Sequence, residues 1–284
     1  MTDKEFDQHH YVSFSYFLER ACGIVLGDNK QYLVRSRLTP LIKQFSCATI
    51  NAYIDSIIKG NRQHQAAAIE AMTTNETLWF RDDYPFKLLE NPLLGQFSSK
   101  AKPLRIWSAA CSSGQEAYSI AMTILNFKKQ QSNSFRAGIE IVGTDISEQM
   151  LQRCRSAEYD QLAISRGLPM QFKADFFEPA DSGKLRLKSQ VKALTHFKSI
   201  NLLDSYSSLG KFEIIFCRNV LIYFSTEVKK QILQKIAACL QNDGILFLGA
   251  SESISGLTEK FTMVRCNPGL YYLKKPHLSS QTLF

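Results

Sequence analysis

The chain lacks long apolar runs and paired cysteines, and each absence excludes a class of protein. None of its apolar stretches reaches the roughly 18 residues that a membrane-spanning helix needs, so we expect no membrane insertion. Its first residues include Asp3, Glu5 and Asp7 instead of the basic and apolar segments of a secretory leader. The 7 cysteines are odd in number, scattered and never spaced C-x-x-C. We therefore expect free thiols, no metal site and a cytoplasmic protein.

The formal net charge of +8 is unevenly distributed along the chain. Residues 1–90 carry 10 basic and 11 acidic side chains, which leaves 24 basic and 15 acidic side chains for the remainder. A basic region attracts acidic partners, which include nucleic acids and acidic protein surfaces. Charge alone leaves both kinds of partner open.

The first 90 residues are predicted to form helices. Apolar residues recur at helical spacing between 34 and 45, and we expect Pro40 to kink this helix or to divide it in two. Further helices are predicted over 50–58, with Thr49 as the N-cap, and over 63–72. We predict a small bundle whose basic helix presents either a solvated face or a partner-docking surface through Lys30, Arg35, Arg37 and Lys43.

From Pro103 onward, strands alternate with helices, which predicts an α/β fold with a doubly wound, mostly parallel sheet. The predicted strands cover 104–110, 139–143, 212–217 and 245–249, and the predicted helices cover 116–127, 148–156 and 226–240. Near the end, two short strands flank Asn267-Pro268-Gly269 and predict an antiparallel hairpin. Such a hairpin distinguishes the methyltransferase variant of this fold from nicotinamide-binding Rossmann domains.

Residues 171–200 interrupt this alternation and are predicted to form a small antiparallel β insertion. The expected turn is Asp181-Ser182-Gly183, and the expected last strand covers 195–200. The predicted domains are therefore a helical domain over 1–72, a linker over 73–100 and an α/β domain over 101–284 that carries the insertion at 171–200.

The loop after the first strand is poor in glycine. A pyrophosphate site would need G-x-G-x-x-G, whereas this loop has only Gly114 and leaves room for an uncharged adenosine and a methionine tail. Glu116 opens the next helix, and we expect it to face a positive group such as a cofactor amino group. Asp145 ends the second strand, where an acid accepts both ribose hydroxyls in NAD and adenosylmethionine folds alike.

Polar residues also follow the third strand and fill the linker. Arg218 and Asn219 interrupt an apolar run at the ligand-binding edge, which is costly unless both are satisfied there. The absence of proline at this point argues against an adenine N6-methyltransferase. The segment 73–81 is rich in hydrogen-bonding side chains, so we predict that it forms one wall of a cleft.

These motifs together resemble one family. In chain order, N-E-T-L-W-F-R, W-S-A-A-C-S-S-G-Q-E, G-T-D-I-S, N-L-L-D, F-C-R-N-V-L-I-Y-F and G-I-L-F-L-G-A-S-E-S are similar to motifs of the chemotaxis receptor glutamate methyltransferases, and the match covers nearly the whole chain. The resemblance implies a class I methyltransferase fold that uses S-adenosylmethionine and yields S-adenosylhomocysteine. It also implies a monomer that esterifies glutamates on the cytoplasmic domains of methyl-accepting chemotaxis receptors, without nucleic acid as partner.

The resemblance further implies roles for individual residues. Arg81 and Tyr223 would border the transferring methyl, and Arg35 and Arg37 of the helical domain would touch the receptor. Family members that tether to a receptor's C-terminal pentapeptide have a Gly-x-Gly turn in the insertion, and the single glycine in 178–183 argues against tethering. The implied cofactor pocket comprises Asn75, Thr77, Arg81, Glu116, Asp145, Asn201, Leu202, Arg218 and Asn219.

Two alternatives remain open at this point. The basic region could serve a nucleic-acid methyltransferase, since its charge suits a phosphate backbone. The protein could also bind adenosylmethionine as a non-catalytic signalling protein.

Overall fold

The chain divides into a mainly helical unit and an α/β unit. The structure is a computed structural model that describes residues 6–276, so the outer ends of the predicted domains, 1–5 and 277–284, lie outside the described residues. The helical unit contains residues 6–74 together with Asn201–Leu203 and Tyr223–Val228. The remaining described residues form the α/β unit. None of the helices within 6–276 combines the length and the apolar composition that crossing a membrane requires.

Local signals explain where the helices of the helical unit begin and end. Thr49 caps its helix as predicted, because its hydroxyl accepts a hydrogen bond from the Ala52 amide at 3.1 Å. Pro40 lies inside one continuous helix, which excludes the division of the two outcomes expected at this residue. Val34 and Leu38 are fully buried on that helix. The helices are α1 (Gln8–Cys22), α2 (Gln31–Gln44), α3 (Ile50–Ile58) and α4 (Arg62–Met72).

The two short segments from later in the chain pack against the end of α1. This helix ends at Gly23, which has a left-handed φ of +81° that glycine adopts without strain. A Cβ atom at Gly23 would lie 2.8 Å from Phe224 Cδ1 and 3.1 Å from Leu203 Cδ2. Glycine is therefore required here by both conformation and space.

His10 gives the helical unit a pH-dependent contact. Its ring lies 2.8 Å from an Asp7 oxygen and 3.2 Å from an Asp55 oxygen. Partial burial lowers the pKa of His10, but the hydrogen bond to Asp7 and the charges of Asp7 and Asp55 outweigh it and raise the pKa. A histidine with a raised folded-state pKa stabilises the fold below its unfolded pKa of about 6.5, and that stabilisation is lost as pH rises through the folded pKa.

We therefore expect the thermal midpoint of the protein to fall between pH 6 and pH 8 more steeply than that of His10→Gln. Thermal unfolding of both proteins across this range measures the difference. His196→Gln, at an exposed histidine of the α/β unit, is the matched control and should keep the steeper dependence. Parallel curves for the unchanged protein and His10→Gln would contradict the prediction.

The α/β unit is built on one twisted sheet covered by helices. Its helices are α5 (Tyr84–Leu88), α6 (Leu94–Phe97), α7 (Gln115–Gln130), α8 (Glu148–Ser156), α9 (Gln161–Ser165), α10 (Met170–Phe176), α11 (Ser189–Lys192) and α12 (Thr226–Cys239), of which α12 starts in the helical unit. Its strands are β1 (Leu104–Ala109), β2 (Ile139–Asp145), β3 (Glu158–Tyr159), β4 (Phe177–Pro179), β5 (Leu185–Leu187), β6 (Thr195–Ser199), β7 (Phe212–Cys217), β8 (Leu240–Phe247), β9 (Phe261–Cys266) and β10 (Gly269–Lys274).

Within residues 6–276, the main sheet has seven strands in the order β6-β2-β1-β7-β8-β10-β9. The first five are parallel, and β10 runs antiparallel to both β8 and β9. The predicted parallel sheet with an antiparallel terminal hairpin is therefore confirmed. Side chains of α7 pack with Ile106, Ile214, Phe216 and Phe247 in one core, which fixes the central strands.

Two predicted strands differ from the structure. Thr195–Ser199 pairs in parallel with β2, so it is an edge strand of the main sheet, and its assignment to the insertion was wrong. The alternating pattern of this segment predicts a strand but does not say which strand it pairs with. The predicted start of β8 at residue 245 was also wrong, because the strand begins at Leu240. The segment 242–244, predicted as a turn, lies within the strand where its pairing with β7 shifts register.

The insertion is nevertheless an antiparallel sheet. Its strands lie in the order β3-β5-β4, and its turn at Asp181–Gly183 is a 3-10 turn where a turn was predicted. Glu158–Tyr159 contributes the outer strand, which lies before the predicted bounds of the insertion. Residues 189–192 form a helix instead of extending β5.

Candidate functional site

The candidate site lies at the carboxyl ends of β1, β2 and β7, where chain connections leave the sheet in opposite directions. Open α/β sheets bind ligands at such a switch point. Backbone strain is concentrated there. Of the eleven non-glycine residues with positive φ within 6–276, six lie on three segments at this edge, namely Phe80, Asp82, Asp83, Ala110, Ser112 and Asn219. Strained backbone of this kind is typical of binding and catalytic sites.

The backbone amides of the loop between β1 and α7 donate hydrogen bonds to other groups of the protein. The Cys111 amide donates to the Thr144 carbonyl at 2.9 Å, and the Gly114 amide donates to the Cys111 carbonyl at 3.0 Å. The Ser112 amide donates to the Asp145 carboxylate at 2.7 Å. A phosphate cradle needs amides that point at the ligand, whereas these three point into the protein. The loop therefore suits an uncharged adenosyl group better than a dinucleotide, as its composition predicted.

Asp145 is the buried carboxylate that organises this edge. One of its oxygens accepts from the Ser112 amide, and the other accepts from the Ser147 amide at 2.9 Å. The residue is 7% exposed. These two bonds orient the Asp145 carboxylate at the end of β2, where an acid can accept ribose hydroxyls.

Arg218 joins the β7 segment to the linker through a buried ion cluster. Its guanidinium donates to Glu116 at 2.9 Å, to Asp82 at 2.8 Å and to the Arg81 carbonyl at 2.6 Å. Its side chain is only 1% exposed, so the two carboxylates compensate a charge that is out of water. Glu116 also accepts from Ser108 at 2.7 Å. The positive group that Glu116 faces in this structure is thus Arg218.

One polar atom of this cluster retains hydrogen-bonding capacity. The Arg218 Nε is buried and has no hydrogen-bond partner among the described residues. A buried donor without a partner costs free energy, and such atoms in a ligand-binding region are commonly satisfied when a ligand is bound. The donor set is suited to an acceptor oxygen such as that of a methionine carboxylate, so these residues fit an adenosylmethionine cofactor.

The linker segment is fastened to the same edge. The Ser112 hydroxyl donates to the Asn75 carbonyl at 2.9 Å, and the Phe80 amide donates to the Ser119 hydroxyl at 3.1 Å. Arg81 donates to the Glu76 carbonyl at 3.1 Å and is partly exposed. Seven predicted site residues belong to the α/β unit, namely Asn75, Thr77, Arg81, Glu116, Asp145, Arg218 and Asn219.

Three predicted site residues belong to the helical unit. Asn201 donates from its side-chain amide to the Ala21 carbonyl at 2.7 Å, and its side-chain oxygen accepts from the Leu203 amide at 3.0 Å. Leu202 is buried, and the Tyr223 carbonyl accepts from the Val25 amide at 2.9 Å. Their role at the cofactor stays a prediction.

Arg37 has a structural role within the helical unit. Its guanidinium donates to the Met72 carbonyl at 2.6 Å, the Thr73 carbonyl at 3.1 Å and the Thr74 hydroxyl at 2.9 Å. A cation at these carbonyls also compensates the dipole of α4. Arg35 is partly buried. Receptor contact by these two residues stays a prediction.

The cysteines are free, as expected, including two beside the candidate site. Contact with the Cys154 thiol and burial raise the pKa of Cys111 well above its usual value. Burial likewise raises the pKa of Cys217, the last residue of β7. Both thiols stay protonated at neutral pH and are poor nucleophiles. Within residues 6–276 no group of three or more acidic, histidine or cysteine side chains could hold a metal ion.

Two residues of the site were missed by reasoning from the sequence. Asp82 directly follows the N-E-T-L-W-F-R motif, and only its ion pair with Arg218 reveals its part in the site. Glu252 lies in the segment G-A-S-E-S, and its carboxylate accepts hydrogen bonds from backbone amides near Asn219. In the second case the segment belongs to the motifs that resemble the family, but the sequence alone assigns no role to Glu252 within it.

The sheet order, the terminal hairpin and the site at the switch point define an S-adenosylmethionine-dependent methyltransferase. Residues 75–270 match the family model described as CheR methyltransferase, SAM binding domain, and residues 9–73 match CheR methyltransferase, all-alpha domain. The chain therefore belongs to the CheR methyltransferase family, and the resemblance seen in its motifs is confirmed. The predicted enzyme class and cofactor are confirmed with it.

Curated relatives cover nearly the whole chain. The chain is 52% identical to a chemotaxis protein methyltransferase of Vibrio parahaemolyticus, over 97% of this chain and 100% of that protein. It is 51% identical to chemotaxis protein methyltransferase 1 of Vibrio cholerae, with the same coverage. It is 48% identical to chemotaxis protein methyltransferase Cher2 of Pseudomonas putida, over 93% of this chain and 98% of that protein.

Proposed function

We propose that the protein transfers the methyl group of S-adenosylmethionine to glutamate side chains on the cytoplasmic domains of chemotaxis receptors. The products are glutamate methyl esters and S-adenosylhomocysteine, and the enzyme works as a cytoplasmic monomer. The observation that carries the proposal is the Glu116–Arg218–Asp82 cluster beside a loop whose amides are already engaged. The names of the relatives supply the connection to chemotaxis.

In this proposal, each predicted residue has a distinct task. S-adenosylmethionine, when bound, supplies a methyl group activated by a sulfonium cation. Asp145 accepts the ribose hydroxyls, while Arg218 and Glu116 hold the methionine end. Arg81 orients a carboxylate, and Tyr223 orients the acceptor. Asn75, Thr77, Asn201, Leu202 and Asn219 are the further residues that we propose for cofactor binding.

A carboxylate acceptor also fits the titratable groups at the site. Glutamate titrates near 4.3 when unperturbed, so the acceptor is ionised at neutral pH and needs no general base. Burial raises the pKa of Tyr84, whose hydroxyl donates to the Leu248 carbonyl at 3.4 Å, so this phenol is not a base near pH 7. The site instead contributes alignment and exclusion of water.

The test is methyl transfer from radiolabelled cofactor to membranes rich in chemotaxis receptors. We expect label on receptor protein that alkali releases as methanol, because esters are base-labile. Alkali-stable label on added nucleic acid would favour the nucleic-acid alternative, and cofactor binding without transfer to any receptor fraction would favour the non-catalytic alternative.

Arg81→Ala is expected to lower cofactor affinity or turnover by at least about tenfold, equivalent to about 1.4 kcal/mol. The physical reason is the loss of a guanidinium that orients a carboxylate at the site. The same transfer assay and cofactor titration measure the effect. Arg155→Ala, which removes a half-exposed arginine paired with Glu148, is the matched control and should behave like the unchanged protein. Unchanged kinetics in Arg81→Ala would remove Arg81 from the site.

A further inference from the structure

Glu252 holds the segment that carries Arg218 and Asn219 by means of three backbone amides. One carboxylate oxygen accepts from the Asn219 amide at 2.7 Å and from the Gly249 amide at 2.8 Å. The other oxygen accepts from the Ile222 amide at 3.3 Å. Hydrogen bonds from amides to an ionised carboxylate are stronger than those between neutral groups. One side chain thus fastens both ends of the turn from Asn219 to Ile222.

The turn depends on the conformation of Asn219. Its φ is +57°, a left-handed conformation that asparagine adopts more readily than most non-glycine residues but that it does not prefer to an extended one. Directly before this reversal, the side chain of Arg218 lies inside the ion cluster. A carboxylate bound to the amides at both ends of the reversal opposes relaxation of Asn219 to an extended conformation.

Gly249 supplies the space for this arrangement. A Cβ atom at Gly249 would lie 2.7 Å from the Asn219 side-chain nitrogen and 2.8 Å from the Glu252 carboxylate. The Glu252 amide in turn donates to the Gly249 carbonyl at 2.9 Å, which closes the turn that presents the carboxylate. The turn that follows β8 therefore places the Glu252 carboxylate within hydrogen-bonding distance of the Asn219 amide.

We infer that Glu252 is a positioning residue of the methyltransferase, which fixes Asn219 and Arg218 for cofactor binding without transferring any group itself. This inference rests on the proposed place of Arg218 and Asn219 in the cofactor pocket. It adds a residue from the end of β8 to the site and gives a reason for the G-A-S-E-S segment.

Glu252→Gln tests the inference because it keeps the size of the side chain and replaces one acceptor oxygen with a donor. At least one backbone amide then faces an NH2 group, whichever way the side chain turns. Titration calorimetry with S-adenosylhomocysteine, without receptor, should give a dissociation constant raised about tenfold or more. The KM for receptor in the transfer assay should stay within about twofold of the unchanged protein.

A matched control separates positioning from general loss of stability. Glu213 lies on β7, the strand that leads to Arg218, and its carboxylate accepts a hydrogen bond from the Arg105 amide at 2.9 Å at the opposite end of the sheet. Glu213→Gln makes the same chemical change at a carboxylate that also accepts a backbone amide, and this variant should bind S-adenosylhomocysteine like the unchanged protein. Glu252→Asp, which keeps the charge and shortens the reach, is the second variant and should show a smaller rise in the same constant.

Cofactor binding by Glu252→Gln equal to that of the unchanged protein would overturn the inference alone. Equal losses of affinity in Glu252→Gln and Glu213→Gln would also overturn the inference, because they would show that either substitution weakens cofactor binding through general loss of stability. No binding of S-adenosylhomocysteine by the unchanged protein would overturn the proposed function and this inference with it.

Discussion

Arg218→Met is expected to abolish measurable cofactor binding and to destabilise the α/β unit by about 3 kcal/mol or more. The substitution keeps the apolar stem of the side chain and removes the cation. Glu116 and Asp82 then face each other's charge without compensation, at side-chain exposures of 13% and 28%. The Arg81 carbonyl loses its donor as well. Denaturant unfolding and calorimetric titration with S-adenosylhomocysteine measure the two effects.

The matched control is Arg105→Met at the opposite end of the sheet. Arg105 pairs with Glu140 at 2.6 Å and donates to the Leu209 and Lys211 carbonyls at 3.0 and 2.7 Å. Its loss should lower stability but leave cofactor affinity unchanged.

A second variant separates the two consequences of losing Arg218. Arg218→Met combined with Glu116→Gln removes one uncompensated carboxylate, so part of the stability should return while cofactor binding stays absent. Recovery of binding in the double variant would show that Arg218 serves the fold only, and full affinity in Arg218→Met would remove it from the site.

The sequence predicts elements well where several local signals agree. The helix over Glu148–Ser156 and the strand over Phe212–Cys217 were predicted with their observed bounds. In both cases the period of apolar residues coincides with a cap or a turn at the ends. Such agreement between pattern and boundary residues specifies an element without tertiary information.

Pairing between strands was less predictable. The segment Thr195–Ser199 was correctly expected to be a strand, but its partner is β2 and not a strand of the insertion. Strand β8 begins at Leu240, although Asn242-Asp243-Gly244 is typical of a turn. The strand includes these residues because its pairing with β7 shifts register between Phe212 and Ile214. Both outcomes depend on contacts distant in sequence, which a local pattern does not encode.

The residues of the site also differ in whether local sequence or a contact distant in sequence reveals them. Asp145 was expected because the end of a parallel strand is a common place for a ligand-binding acid. Asp82 and Glu252 were not, because their significance lies in a pairing with Arg218 and in bonds to the Asn219 amide. A residue whose role is to hold another residue becomes visible only when the partner's position is known.

Asp145→Asn is expected to weaken cofactor binding by about a hundredfold. The residue is buried, and each of its oxygens accepts one backbone amide, from Ser112 and from Ser147. An asparagine can satisfy only one of these amides, and leaving a buried amide unsatisfied costs about 1–3 kcal/mol. Asp160→Asn is a suitable control, because Asp160 caps the short helix α9 through the Ala163 amide and is exposed.

Loss of affinity in Asp145→Asn has two possible causes, a displaced loop or a lost ribose contact, and a second ligand separates them. If Asp145 accepts the ribose 2′-hydroxyl, the unchanged protein should bind 2′-deoxy S-adenosylhomocysteine at least about tenfold more weakly than the parent compound, because a site built to pair a hydroxyl is left unpaired without it. The variant, which has already lost that acceptor, should discriminate between the two ligands by about twofold or less. Each protein gives a ratio of its dissociation constants for the two ligands. The quotient of these two ratios measures the coupling between the Asp145 carboxylate and the 2′-hydroxyl. Equal discrimination in both proteins would mean that Asp145 acts only by tying the amides of Ser112 and Ser147.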